Sequence, residues 1–233
     1  MRQAPKHVRD GFGFQTAWLI EGPEKDPDRA YFKFRDLPRI AADAQAHGID
    51  ELSIVNWCEC FALPVPIRGE LGTREDLVAA VRACKQLGVN VSPFYSLVDV
   101  REPLASTLGF PANSTAWTYH PEMIPGLNPY YLRDGYPVVL WRFRSMMGNT
   151  DHPGWQREVR TALREWIDAG LVNVQWDVFD GNESLVRLAA EIQEHMRSKD
   201  PAAVFSGESV GSVEWDNRAL DYTWNNFAYC DCG

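Results

Sequence analysis

The chain has 233 residues, enough for one large domain with a substantial core, and its 45% hydrophobic and 24% charged content is ordinary for a globular protein. That balance excludes a disordered chain, and no apolar run approaches the roughly 20 residues that a membrane-crossing helix needs. Its 23 basic and 32 acidic residues give a net charge of -9, and the bases are scattered, which argues against nucleic acid as a partner and for a neutral ligand.

In chain order, the first ten residues, MRQAPKHVRD, are polar and no apolar signal core follows, so no secretion signal is expected and a cytoplasmic location is the default. GFGFQTAWLI supplies a first strand near Phe14 to Leu19. A periodic helix from Leu37 to His47, stopped by Gly48, leads into the strand IDELSIVNW. A second, from Glu75 to Leu87 with Gly88, leads into VNVSPFYSL. Glycine is favoured just beyond a helix end because it accepts the left-handed conformation there.

The stretch from about Arg101 to Asp151 breaks this rhythm. It is rich in Pro, Gly, Asn and aromatics and much too long for an ordinary connection. Its Trp117, Tyr119, Tyr130, Tyr131 and Trp141 argue for an ordered lid or inserted subdomain, in which PVVLWRF, residues 137–143, reads as a short strand.

The third junction is the most informative. A helix from Gly154 to Ala169 places Trp155, Val159, Ala162, Leu163, Trp166 and Ile167 on one face, Gly170 ends it, and the short apolar strand Leu171 to Trp176 follows. Asp177 stands where that strand is expected to give out. A helix from Ser184 to Arg197, the stop Asp200-Pro201, the strand AVFSGE (203–208) and a β-rich run from Leu220 to Trp224 complete the pattern. Repeated helix, glycine and strand units mean a parallel sheet with crossover helices. Pattern alone leaves doubly wound and barrel arrangements open. The barrel reading is a (β/α)8 TIM barrel spanning residues 1–233 as one domain, about six units being present, with 101–151 inserted after the third strand. Eight units usually need about 250 residues, so a truncation at the C-terminus is expected.

In such barrels the active site is built at the C-terminal mouth of the strands. The strand ends there offer Trp18; Trp57 and Glu59; Tyr95 and Asp99; Trp176, Asp177 and Asp180; Glu208; and Asp221 and Trp224. Hydrolysis of a glycosidic bond needs two carboxyl groups flanking the sugar, one as acid and one as nucleophile or base. One must stay protonated while the other is ionised, and burial against Trp or Tyr is one way to separate them. Asp177, still in strand register, and Glu208, between Gly207 and Ser209, are the candidate pair. Asp180 or Asn182 suits the N-cap of the next helix. Trp18, Trp57, Glu59, Tyr95, Asp99, Trp176, Asp180, Asp221 and Trp224 are the candidate sugar contacts.

Other chemistries find little support. His120 and His152 lack metal-ligand spacing, and the sequence has no HExxH, no glycine-rich phosphate loop and no GxSxG. The five cysteines, Cys58, Cys60, Cys84, Cys230 and Cys232, are odd in number and irregular in spacing, unlike a secreted disulfide framework. Buried or loop thiols are expected. No metal and no cofactor is expected, and the rivals to a glycosidase are a non-catalytic carbohydrate-binding barrel and a metal-dependent barrel hydrolase.

The run MMGNTDHPGWQREVRTALREWIDAGLVNVQWDVFDG, with the GES motif around Glu208 and the following LDYTWN, resembles retaining barrel glycosidases of the alpha-galactosidase clan and their bacterial relatives. The resemblance covers about residues 145–225. It implies a carbohydrate substrate and a nucleophilic Asp matching Asp177. For the acid/base it implies two different residues: Asp221 by the alpha-galactosidases, which use an Asp on the sixth strand, and Glu208 by the relatives, which use a Glu on the fifth. Glu208 is preferred, because its flanking glycine leaves it open to a ligand.

Overall fold

The computed structural model describes residues 4–10, 13–19, 30–58, 63, 65–97, 99–101, 132–133, 136–139, 143–147, 153–179, 182–209 and 218–224. A short helix, α1 (Lys6–Asp10), precedes β1 (Phe14–Trp18). Then come α2 (Leu37–Ala46), β2 (Glu51–Val55), α3 (Arg74–Gln86) and β3 (Asn90–Tyr95). Four short strands follow: β4 (Asp99–Arg101), β5 (Leu132–Arg133), β6 (Tyr136–Val139) and β7 (Phe143–Met147). The chain continues as α4 (Pro153–Ala169), β8 (Val174–Phe179), α5 (Glu183–Lys199), β9 (Phe205–Ser209) and β10 (Tyr222–Trp224).

Six strands form one parallel sheet in the order β1-β2-β3-β8-β9-β10. Neighbours in the sheet are neighbours among the barrel-type strands of the chain, as a singly wound sheet requires and a doubly wound one forbids. The sheet curls. Tyr222 on the last strand donates a 2.6 Å hydrogen bond to Glu51 Oε1 on the second, and its ring lies 6.2 Å from Phe14 on the first. The fold is therefore an incomplete (β/α)8 barrel, as the repeated helix, glycine and strand units predict. Gly48, Gly88 and Gly170, read from sequence as helix stops, all have positive φ.

The inserted segment differs from expectation. PVVLWRF is not one strand: β6 and β7 are separate antiparallel partners, and β4-β7-β6-β5 make a small second sheet. Asp99 belongs to this sheet, paired with Met147, and not to the end of β3. The strand expected at Leu171 to Trp176 begins at Val174 and runs on to Phe179, so Asp177 lies inside it.

The two faces of the parallel sheet have different chemistry. Toward the helices, α4 contributes Trp155, Val159, Leu163, Trp166 and Ile167 to a buried layer with Leu52, Ile54, Tyr95, Trp176 and Phe205. Toward the concave interior, Ser53 Oγ donates to Gln175 Oε1 across β3, and Glu51, Ser92, Ser206 and Tyr222 gather below. No described helix is long and apolar enough to cross a membrane.

Candidate functional site

Alternation along each strand decides which side chains reach the interior. On β8, Gln175 faces the interior through its bond to Ser53, and Trp176 faces α4, its ring 6.3 Å from Trp155. Asp177 is two residues on from Gln175, on the concave side, and half-buried. On β9, Ser206 lies opposite Tyr222 in register on the concave side, so Glu208, also half-buried, shares that face.

These two carboxylates come from adjacent strands at a break in the ladder. Trp176 pairs with Gly207 and Phe179 with Ser209. Two residues of β8, Asp177 and Val178, thus oppose one residue of β9, Glu208. This is a β-bulge, uncommon in a parallel pair and over-represented next to active sites, where it re-aims a side chain. Its effect is visible in Phe179. Unbroken alternation from Gln175 would turn that ring inward, yet it packs edge-on to Trp176 at 5.7 Å and to Phe205 at 6.3 Å, on the helix side. Adjacent paired strands run about 4.8 Å apart, and Asp177 and Glu208 rise from two such neighbours within the break in their pairing.

Trp18 is the third member of this end of the sheet. It is four residues beyond Phe14, whose ring meets Tyr222 inside the curl, so it faces the same side. Trp18 is 50% exposed. A flat, accessible indole at the same end of the sheet as the two carboxyls can stack on a sugar ring. Asn56, buried at the end of β2, has φ of 60°, an uncommon conformation for a residue with a Cβ that recurs at functional sites.

Several predicted contacts lie elsewhere. Trp57 is fully buried between Tyr95 and Trp166, with ring centroids at 5.2 and 5.0 Å, and its Nε1 donates to Phe94 O at 2.9 Å. Tyr95 and Trp176 are equally buried in the helix-facing layer. These three rings build the wall behind the mouth and offer no face to a ligand. Asp221 is also turned away: Arg197 of α5 donates to its Oδ1 at 2.5 Å, the Phe205 amide donates to its Oδ2 at 2.9 Å, and its side chain is 3% exposed. An internal ion pair that also ties β10 to β9 leaves Asp221 no route to a substrate in the interior. Trp224 pairs with Glu208 in register. Glu59, Asp180, His120, His152, Cys60, Cys230 and Cys232 lie outside the described residues, while Cys58 and Cys84 are buried.

The sequence reading missed Glu51. It is wholly buried inside the curl, where burial pushes its carboxyl above the ordinary value, the nearby Ser92 and Tyr222 hydroxyls oppose that, and Asp221 adds to it. Tyr222 is in turn pushed well above the usual phenol range by burial and by Glu51. The signal was available: in ELSIV, polar Glu51 and Ser53 alternate with apolar Leu52 and Ile54, which marks an interior with polar content. Glu51 opens its strand, at the end opposite Asp177 and Glu208.

A shallow pocket lined by Val78, Arg82, Lys85, Asn90 and Asn173 also lies at the N-terminal ends of the strands, away from the acids. Among the described residues, no three His, Cys, Asp or Glu side chains converge as metal ligands would.

The chain matches no family model and no curated protein sequence. Solved structures do match. The cyclic alpha-maltosyl-(1→6)-maltose hydrolase of Arthrobacter globiformis, in complex with that saccharide, aligns with a TM-score of 0.65 at 16% identity over 97% of this chain and 57% of its own. The debranching enzyme of Nostoc punctiforme gives 0.65 at 15% identity, covering 97% and 53%, and a cyclomaltodextrinase gives 0.65 at 16%, covering 96% and 43%. At such identities the likeness establishes the barrel fold. The chain spans about half the length of these neighbours.

Proposed function

We propose that this chain is the larger part of a barrel domain that hydrolyses glycosidic bonds with retention, Asp177 acting as nucleophile and Glu208 as acid/base. The observation that carries the reading is the placement of these two acids on neighbouring strands, on the concave face, at the bulge. Retention requires carboxyls about 5–5.5 Å apart, against about 6.5–9.5 Å for inversion. Acids rising from adjacent parallel strands favour the shorter spacing.

In this mechanism Asp177 attacks the anomeric carbon while Glu208 gives its proton to the departing oxygen, and water then cleaves the glycosyl ester with Glu208 as base. Trp18 would stack on the sugar at the mouth. The burial of Asp221 in an ion pair supports Glu208 for the proton-donating role. Barrel neighbours named for maltose-type saccharides favour an α-glucoside substrate, where the alpha-galactosidase resemblance implied a carbohydrate without naming the sugar.

The test is hydrolysis of 4-nitrophenyl α-maltoside and 4-nitrophenyl α-galactoside by the wild-type chain, Asp177→Ala and Glu208→Gln, with product anomers followed by proton NMR. Retained α-product, lost in both variants, is expected. Equal background rates in all three proteins would leave a carbohydrate-binding barrel in its place.

A further inference from the structure

We infer that Gly207 is a positioning residue: it is the seat on which the β8 bulge rests, and the missing Cβ there sets the separation between Asp177 and Glu208. The inference rests on the hydrolase reading for its catalytic consequence, and on geometry alone for its structural one.

A Cβ built on Gly207 would lie 3.1 Å from Trp176 O, 3.2 Å from Phe179 Cβ and 3.2 Å from Leu220 Cδ1. Trp176 and Phe179 are the residues that bracket Asp177 and Val178. Two of the three contacts, a main-chain oxygen and a Cβ, are fixed to the β8 backbone and cannot rotate aside. Only Leu220 can give way with its side chain. A methyl group at position 207 therefore presses on both ends of the bulge at once, and β8 and β9 must part by a few tenths of an ångström or the bulge must turn. Both movements act on Asp177 relative to Glu208, which is the next residue after Gly207.

The surroundings direct that displacement into the site. Behind Gly207 the ladder is anchored: the Val174 amide donates to Val204 O, Phe205 donates to Asp221 Oδ2, and Asp221 holds Arg197. Trp176 and Phe179 are locked among Trp155 and Phe205. The half-buried end of the pair, carrying the two acids, is the compliant one.

The experiment is Gly207→Ala, assayed beside wild type, Asp177→Ala and Glu208→Gln on 4-nitrophenyl α-maltoside and on an unactivated maltooligosaccharide. A misplacement of 1 Å costs about a hundredfold, so a shift of a few tenths of an ångström should lower kcat by about three- to tenfold, and KM should change by less than about twofold, since binding at Trp18 is untouched. The loss should be greater on the oligosaccharide, whose poor leaving group depends most on proton donation. Unchanged kcat in Gly207→Ala, with Asp177→Ala inactive, would overturn this inference and leave the hydrolase reading standing. A crystal structure of Gly207→Ala reads the same point without turnover: a widened backbone separation between Asp177 and Glu208 supports the seat, and an unchanged one overturns it even if no glycoside is cleaved. Should Gly207→Ala not fold, Leu220→Ala/Gly207→Ala removes the one movable contact and takes its place, with the same split expected. Failure of both to fold, with Asp177→Ala folding normally, would assign the glycine to packing alone and overturn the proposal.

Discussion

Trp176 and Asp177 are neighbours in the chain but face opposite sides of β8, and that single step separates a wall from a site. Of the tryptophans that the sequence offers as sugar contacts, Trp57 and Trp176 are spent, with Trp155 and Trp166 of the apolar helix face, on the layer between helices and sheet. Their polar edges hold loops: Trp155 Nε1 donates to Leu97 O at 3.0 Å and Trp166 Nε1 to Val65 O at 3.2 Å. Trp176→Ala should accordingly cost about 3–5 kcal/mol of stability, seen as a lower urea midpoint. Trp18→Ala should leave the midpoint within about 0.5 kcal/mol of wild type and raise KM on the maltoside with kcat little changed. Equal stability losses at the two positions would erase the distinction between wall and mouth. Asp221→Ala belongs with the wall. Removing it strands Arg197 and the Phe205 amide in a largely buried setting, so a loss of about 3–5 kcal/mol is expected, while the folded fraction, tested below its melting range, keeps the wild-type kcat. A lost kcat would return Asp221 to the candidate acids.

At the scale of elements, the helix, glycine and strand grammar was legible because each part has a local cause. α3 shows this most completely: Thr73 Oγ1 accepts from the Asp76 amide at 3.1 Å, and Asp76 Oδ2 accepts from the Thr73 amide at 2.8 Å. Those bonds hold the Asp76 carboxyl below its usual range. Thr73→Ala should cost about 1 kcal/mol in thermal or urea unfolding; no change would mean that the cap is redundant with the packing of Leu77 and Val81. What could not be read is as instructive. The bulge at Asp177 and Val178 has no sequence signature, since it arises from how β8 and β9 meet, and they are joined through a whole helix. Facing was lost for a related reason: Trp57 lies just beyond β2, Tyr95 ends β3 and Trp176 lies inside β8, and position along a strand does not by itself say which of the two alternating sets faces the helices. Asp177 and Glu208 were legible because each follows an apolar run. Their adjacency was not, because it depends on the order of strands in the sheet.

For the molecule as a whole, the curl of the sheet puts Glu51, Ser92, Ser206 and Tyr222 in one enclosed polar pocket, and this gives the fold a pH dependence of definite sign. Asp221 is the other charged group that acts on Glu51, and it acts in the same direction as burial. Because the folded-state value of Glu51 lies above its ordinary 4.5, the folded chain keeps a proton that the unfolded chain releases. Stability from this group is then fully present below about pH 4.5 and is lost as pH rises through the folded-state value. Glu51→Gln copies the protonated shape, preserves an acceptor for the Tyr222 hydroxyl and removes the titration. Urea midpoints of the two proteins should coincide near pH 4 and diverge as pH rises, the variant becoming the more stable. A constant offset across that range would mean that Glu51 stays ionised inside the barrel and that its charge is balanced by a group bound in the pocket, because a bare carboxylate beside Asp221 in so enclosed a place would be strongly unfavourable.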